Sequence, residues 1–276
     1  MISNRRDERS VVRHPLRPSR IIAGLIAGAE PIELRGTGDS AVLLLHGFGD
    51  TPQTLGYIAS GLHAAGFTVR APLLPGHGRT VGEFSRSRAS EWISFARAEY
   101  LAMTASFGSV GLGGLSMGGA IAATIAADAP RLPALVLLAP YVGMPRTLAA
   151  AALLHRVWGP FAGEFRAASS RSIVDPVERA RNLAYGVTTA SALRQLLTLS
   201  RTARKALHSV RAPTLIMQSR LDNRVAGHIA EYVYSTIPAK EKELVFVERG
   251  GHILTVDYDR ETVLARVTGW FTSHMA

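Results

Sequence analysis

The stretch "VGLGGLSMGGAIAATIAA", residues 110–127, carries one serine in a glycine-rich turn between an apolar, strand-like run and an alanine-rich, helix-like run. Gly114-Leu115-Ser116-Met117-Gly118 satisfies G-x-S-x-G, the pattern of a serine exposed on a sharp strand-to-helix turn. Glycines flank such a turn because a Cβ there would collide with the neighbouring strand and helix. A serine hydroxyl is a weak nucleophile until a base takes its proton and an acid orients that base. Two later segments supply those residue types: "PTLIMQSRLDNRV" places Asp222 after a strand-like run, and "VFVERGGHILTVD" places His252 after another. The order Ser116, Asp222, His252 is the nucleophile, acid, base order of this class of turn. Each position has a plainer reading too: a glycine turn with an incidental serine, an aspartate capping the next helix, and a polar histidine beside a glycine turn. Asp257 and Asp259 rival Asp222 as partner of the histidine, but they fall at the expected start of the last helix, where carboxylates favour the helix dipole. His46 and His77, both in glycine-flanked turns, are rivals for the base and read better as structural histidines.

Acyl transfer also needs donors for an oxyanion, and backbone N–H groups held in place provide them without reorganisation. The N–H of Met117, directly after the nucleophile at a helix N-terminus, is one candidate. The N–H of Phe48, in "LLLHGFGD" with Gly47 and Gly49 on either side, is the other.

Positioning these groups requires a sheet. Short apolar runs begin at 41, 67, 109, 134, 213 and 242, with helical candidates over 52–65, 90–106, 117–128, 226–237 and 258–273. Near-continuous apolar strands alternating with helices predict a mostly parallel sheet covered on both faces. Between Pro140 and Pro213 no convincing strand occurs, and a stretch so long is not a simple connection. The sequence therefore divides into a basic N-terminal arm (1–20), a core (21–142 and 210–276) and a helical cap (143–209) on the side where open α/β sheets bind ligands. Leu153, Leu154, Trp158, Phe161 and Leu197 are the cap residues expected to line an acyl pocket.

Composition narrows the function classes. The chain has 276 residues, 47% hydrophobic and 19% charged, enough for one large domain. It has no cysteine, which removes thiolate nucleophiles, disulfides and cysteine-based metal sites. No closely spaced cluster of histidines and carboxylates suggests a metal. Net charge is +10, and six arginines lie in the first twenty residues. Arginine elsewhere is spread without aromatic interleaving, so no nucleic-acid partner is expected, and the arm reads as a solvated tail capable of transient contact with an anionic lipid surface. "IIAGLIAGA" is too short to span a bilayer, and Arg5-Arg6 is followed by Asp7 and Glu8, unlike a twin-arginine signal. A cytoplasmic location is expected.

"GAEPIELRGTGDSAVLLLHGFGDTPQTL", "APLLPGHG", "GLSMGG", "RAPTLIMQSRLDNRV" and "GGHILTVDYDRE" resemble the blocks of the α/β-hydrolase superfamily, more narrowly its bacterial carboxylesterase and monoacylglycerol lipase-like group. The resemblance spans the chain from about Ala29 to its end outside the cap. It implies an α/β-hydrolase fold with a small helical cap inserted after the sixth strand, a Ser-Asp-His esterase and no cofactor. The implied activity is hydrolysis of short- to medium-chain carboxylic esters, monoacylglycerols included. An amidase or peptidase of the same fold, or a ligand-binding hydrolase-like protein, are the alternatives. Gly49-Asp50 departs from the Thr-Gly common in the group, and the arm has no counterpart there.

Overall fold

The computed structural model describes residues 21–22, 24–166 and 172–275, so the expected arm lies outside the described residues. In chain order the elements are the short strands β1 (Ile21–Ile22), β2 (Leu25–Ile26) and β3 (Ile32–Leu34), then β4 (Ser40–Leu45), α1 (Gly56–Ala64) and β5 (Thr68–Ala71). There follow α2 (Val81–Arg86), α3 (Ala89–Thr104), β6 (Ser109–Leu115), α4 (Met117–Ala126) and β7 (Leu135–Leu138). The insertion holds α5 (Arg146–Leu153), α6 (His155–Ala162), β8 (Glu164–Arg166), α7 (Pro176–Arg181), β9 (Val187–Thr189) and α8 (Ala190–Ala206). The chain returns through β10 (Thr214–Ser219), α9 (Gly227–Thr236), β11 (Lys242–Val247) and α10 (Arg260–Met275).

Seven strands form one sheet in the order β11-β10-β7-β6-β4-β5-β3, parallel throughout except for β3, which runs antiparallel to β5 at the edge. Alternation along β4 sorts its side chains to two faces. Val42 and Leu44 pack with Ile58 and Leu62 of α1 and with Val263, Val267 and Phe271 of α10. Ala41, Leu43 and Leu45 pack with Trp92 of α3, Ile121 of α4 and Val233 of α9. Burial on both faces explains the lack of polar alternation in the strand sequences.

Two expectations need correction. The insertion follows β7, the fifth strand of the large sheet in chain order rather than the sixth, because a single strand of that sheet, β3, precedes β4. The insertion is also not wholly helical: β8 and β9 form an antiparallel ribbon, with Glu164 opposite Thr189 and Arg166 opposite Val187. Three-residue strands are too short to show a period of two, and their neighbours Gly163 (φ 55°) and Gly186 (φ 66°) supply the left-handed turns at their ends. Under the ribbon, Ala152, Leu193 and Leu197 form a small core of their own, joined by Trp158 and Phe165. Among the described residues no helix is long and apolar enough to cross a membrane.

Candidate active site

Ser116 sits between the end of β6 and the start of α4 with φ 55° and ψ −112°. This is strained backbone for a residue with a side chain, of a kind that persists only where the surroundings hold it. Here they do. The Ser116 N–H donates to Leu138 O (2.8 Å), and Ser116 O accepts from Tyr141 N (3.0 Å) and Ala120 N (3.1 Å). A Cβ on Gly114 would overlap the backbone of Gly118, and one on Gly118 would overlap Leu45 C and O and lie 2.7 Å from His46 O. The two motif glycines therefore let strand, turn and helix close on one another.

His252 Nε2 lies 2.8 Å from Ser116 Oγ, and Nδ1 lies 2.7 Å from Asp222 Oδ2. With the aspartate ionised, Nδ1–H donates to it and Nε2 is left to accept the serine hydroxyl. The Asp222 carboxylate is filled on both oxygens: Oδ2 also accepts from Gln218 Nε2 (2.6 Å), and Oδ1 accepts from Arg224 N (2.7 Å) and Val225 N (2.9 Å). Burial alone would raise its pKa, but His252 and the two backbone donors outweigh burial and hold the carboxyl below its ordinary value. Asp222 does not cap α9, whose N-cap is Ala226. Ser116 and His252 are each 7% exposed, so the reactive edge opens narrowly.

Gly47 lies over Ser116: a Cβ built there would stand 3.7 Å from Ser116 Cβ. Gly49 (φ 64°) turns the loop, and Asp50 N closes it on Gly47 O (3.4 Å). Phe48 is anchored by edge contacts with Phe84 (centroids 4.8 Å apart) and Trp92 (6.2 Å). Among the described residues neither Phe48 N–H nor Met117 N–H has a loop or side-chain acceptor, which leaves both free for an anion. His46 is fully buried, with Nδ1 3.0 Å from Gly47 O and Nε2 accepting from Leu74 N (3.0 Å). Burial pushes its pKa well down, and burial likewise lowers His77 to about 4. His46 thus braces the loop against Leu74, and His77 braces its own turn, its Nδ1 3.0 Å from Pro75 O.

Of the two later aspartates, Asp259 stands at the start of the last helix as the sequence predicts, its backbone O accepting from Val263 N (2.9 Å), and Asp257 does not. Asp257 and Asp259 precede α10, and Asp257 is buried as a clamp between loops rather than standing as a dipole partner. Asp257 Oδ2 accepts from Val174 N (2.7 Å) and Gly251 N (2.7 Å), and Oδ1 from Asp175 N (2.9 Å) and Tyr258 N (2.9 Å). Asp259 Oδ2 accepts from Arg249 N and Gly250 N (2.7 and 2.8 Å). The insertion segment 172–175 is further tied to the loop that carries Asp222, Arg224 Nε donating to Ser172 Oγ (2.9 Å), and to the loop that carries His252, Ile253 N donating to Ser172 O (3.0 Å). Gln218 is the other contact the sequence reading passed over. A glutamine inside the apolar run "PTLIMQS" was the signal, since a buried amide needs partners.

The cap residues divide. Trp158 and Leu197 lie in the insertion's small core, Trp158 Nε1 donating to Ala151 O (2.6 Å). Leu153, Leu154 and Phe161 face solvent, Phe161 at 90% exposure. Among the described residues no group of three metal-binding side chains occurs.

Comparison with known proteins agrees with this architecture. The model of the family described as serine aminopeptidase, S33, matches residues 36–259. The chain is 28% identical over 250 residues to a thermostable monoacylglycerol lipase of Bacillus sp. (strain H-257), covering 91% of this chain and 97% of that one. It is 25% identical over 236 residues to a carboxylesterase of Bacillus subtilis (strain 168), covering 85% and 92%. A solved structure from work on LipS and LipT, two metagenome-derived lipolytic enzymes, superposes with a TM-score of 0.83 at 34% identity, covering 91% of this chain and all of that one. With its seven-stranded, mostly parallel sheet and its match over 36–259, the chain belongs to the serine aminopeptidase S33 family of α/β-hydrolases.

Proposed function

We infer that this chain is a serine carboxylesterase that hydrolyses short- to medium-chain carboxylic esters, monoacylglycerols among them, through an acyl-enzyme. The observation that carries the reading is the unbroken hydrogen-bonded line from Ser116 Oγ through both nitrogens of His252 to Asp222. In the first half-reaction Ser116 Oγ attacks the ester carbonyl while its proton passes to His252 Nε2, and Asp222 stabilises the imidazolium that forms. The N–H groups of Phe48 and Met117 hold the oxyanion. His252 then returns the proton to the departing alkoxide, and the alcohol leaves. In the second half-reaction water loses its proton to His252 as it attacks the acyl carbonyl, and the acid departs as the proton returns to Ser116. None of these steps calls for a cofactor or metal. Trp158 and Leu197 back the acyl wall from within the insertion, with the outward Leu153, Leu154 and Phe161 giving an apolar face toward a lipid surface.

The family description and the lipolytic relatives point to different leaving groups, amine and alcohol. The ester reading is favoured by the insertion's carboxylates. Over 143–209 these are Glu164, Asp175 and Glu178. Asp175 caps α7 through Val177 N and Glu178 N, and Glu178 pairs with Arg181 and Arg260 (3.2 Å each). Two of the three are thus committed elsewhere and unsuited to anchor a substrate ammonium.

The test is Ser116→Ala assayed on p-nitrophenyl esters, glycerol monoesters and an anilide of the same acyl group. Turnover of the esters should fall by at least about 10³-fold, with the melting temperature held and fluorophosphonate labelling lost. Substantial residual turnover in pure variant protein would overturn the nucleophile assignment. Faster turnover of the anilide than of the ester would replace the esterase reading with an amidase one.

A further inference from the structure

Away from the triad, a cleft runs between the α2–α3 connection and α8, roofed by α6. It consists of two adjoining hollows of about 690 and 460 Å³ that share Arg156, Gln195 and Thr198. Arg86 and Arg88 line the first and Arg194 the second, so with Arg156 four arginines from the α2–α3 connection, α6 and α8 line the cleft. No carboxylate lines either hollow.

Their counter-charges are missing in a specific way. Among the described residues Arg86, Arg88, Arg156 and Arg194 form no ion pair within 4.0 Å. The two carboxylates nearest in sequence are turned to backbone work: Glu83 Oε2 accepts from Thr80 N and Oγ1, and Glu91 Oε2 accepts from Arg88 N. Glu83 still acts electrostatically on Arg86 without pairing with it. In the second hollow His155 has a buried Nδ1 with no hydrogen-bond partner among the described residues, and Arg194 reaches only a hydroxyl, that of Thr198 (3.1 Å). A cleft walled by one sign of charge focuses its potential and concentrates ions of the opposite sign. Guanidinium forks match the oxygens of a phosphate in paired hydrogen bonds.

We propose that this cleft binds a phosphate group, carried by a soluble phosphate ester or by a lipid headgroup, at a site separate from the ester-hydrolysing triad. Leu153 lines the second hollow, and Leu154, Val157 and Phe161 are exposed on the same pair of helices, so an apolar face borders the cationic one. That adjacency suits an amphiphile whose phosphate lies in the cleft.

The experiment uses the full chain and two charge-matched double variants: Arg88→Glu/Arg156→Glu in the cleft, and Arg131→Glu/Arg201→Glu at exposed positions outside it. One arm titrates glycerol 3-phosphate by calorimetry. The other measures sedimentation with phosphatidylcholine vesicles with and without phosphatidylglycerol. The cleft variant should bind at least about tenfold more weakly, while the control variant loses less than about threefold and both retain p-nitrophenyl butyrate hydrolysis. Binding in the soluble arm assigns a free phosphate ester, and binding confined to phosphatidylglycerol vesicles assigns a headgroup. No binding in either arm overturns the proposal. Equal weakening in both variants overturns it too, because it would show general charge attraction only.

Discussion

Asp50 is the residue whose chemistry departs furthest from its surroundings. It lies in the loop over Ser116, 3% exposed, with Oδ2 accepting from Thr54 Oγ1 (2.8 Å) and Oδ1 buried without a partner among the described residues. Burial, partly offset by the hydrogen bonds from Thr54 and Thr51 and by His252, raises its pKa from 3.8 to about 6. An acid with a raised folded pKa binds its proton more tightly folded than unfolded, so stability falls as pH rises from about 3.8 to about 6 and stays lowered above. Asp50→Asn removes that loss. The variant should gain up to about 3 kcal/mol over the wild type at pH 8 and much less at pH 4, read from urea unfolding at the two values. An equal gain at both would show that packing, not charge, limits the site. Asp222 has the opposite sign, its lowered pKa giving stability that is lost as pH falls through the acid range.

At the scale of elements, one buried carboxylate holds the loop after β11 to the insertion segment 174–175. Asp257 accepts four N–H groups, and an amide in its place would turn its NH₂ toward two of those donors in either orientation. Asp257→Asn should therefore lower kcat on a soluble short ester by about 10- to 100-fold with little change in KM, because it loosens the backbone next to His252 without touching substrate. A variant with raised KM and unchanged kcat would contradict that assignment. Gly118→Ala, which would press on Leu45 and His46, should cost several kcal/mol of stability or prevent folding, as thermal unfolding or expression yield would record. The strands flanking the site were legible because β4, β6, β7 and β10 are buried on both faces and read as apolar runs, and the serine was legible because its turn needs glycines. The edge strand β3 and the ribbon β8–β9 were not, being three residues each with no room for periodicity. Asp257 was misread for a different reason: its partners Val174 and Asp175 lie more than eighty residues earlier, and one-dimensional spacing carries no trace of such a contact.

For the molecule as a whole, the proposed division of labour is that the core performs the reaction and the insertion selects the substrate. Trp158→Ala empties part of the insertion's small core and should shift the preferred acyl length, measured over a series of p-nitrophenyl esters. Phe161→Asp places a charge on the exposed apolar face and should slow hydrolysis of vesicle-bound monoacylglycerol at least about threefold, while a monomeric short ester is turned over at the wild-type rate. Equal loss on both substrates would remove the lipid-facing role. Yet the insertion is not an interchangeable part. Through Ser172 it is fastened to the loops that carry Asp222 and His252, through Val174 and Asp175 to Asp257, and through Tyr185 N to Gly49 O (3.0 Å) in the loop over Ser116. On the insertion's side only Ser172 Oγ is a side chain and the other groups are backbone N–H and C=O, so a chimera that exchanges all of 143–209 keeps these fastenings only where it reproduces the backbone path of 172–185. One that exchanges only 146–166 leaves that path untouched, so under the proposed division of labour α5, α6 and β8 are the parts open to exchange, while 172–185 is held to a single backbone course by the loops it fastens.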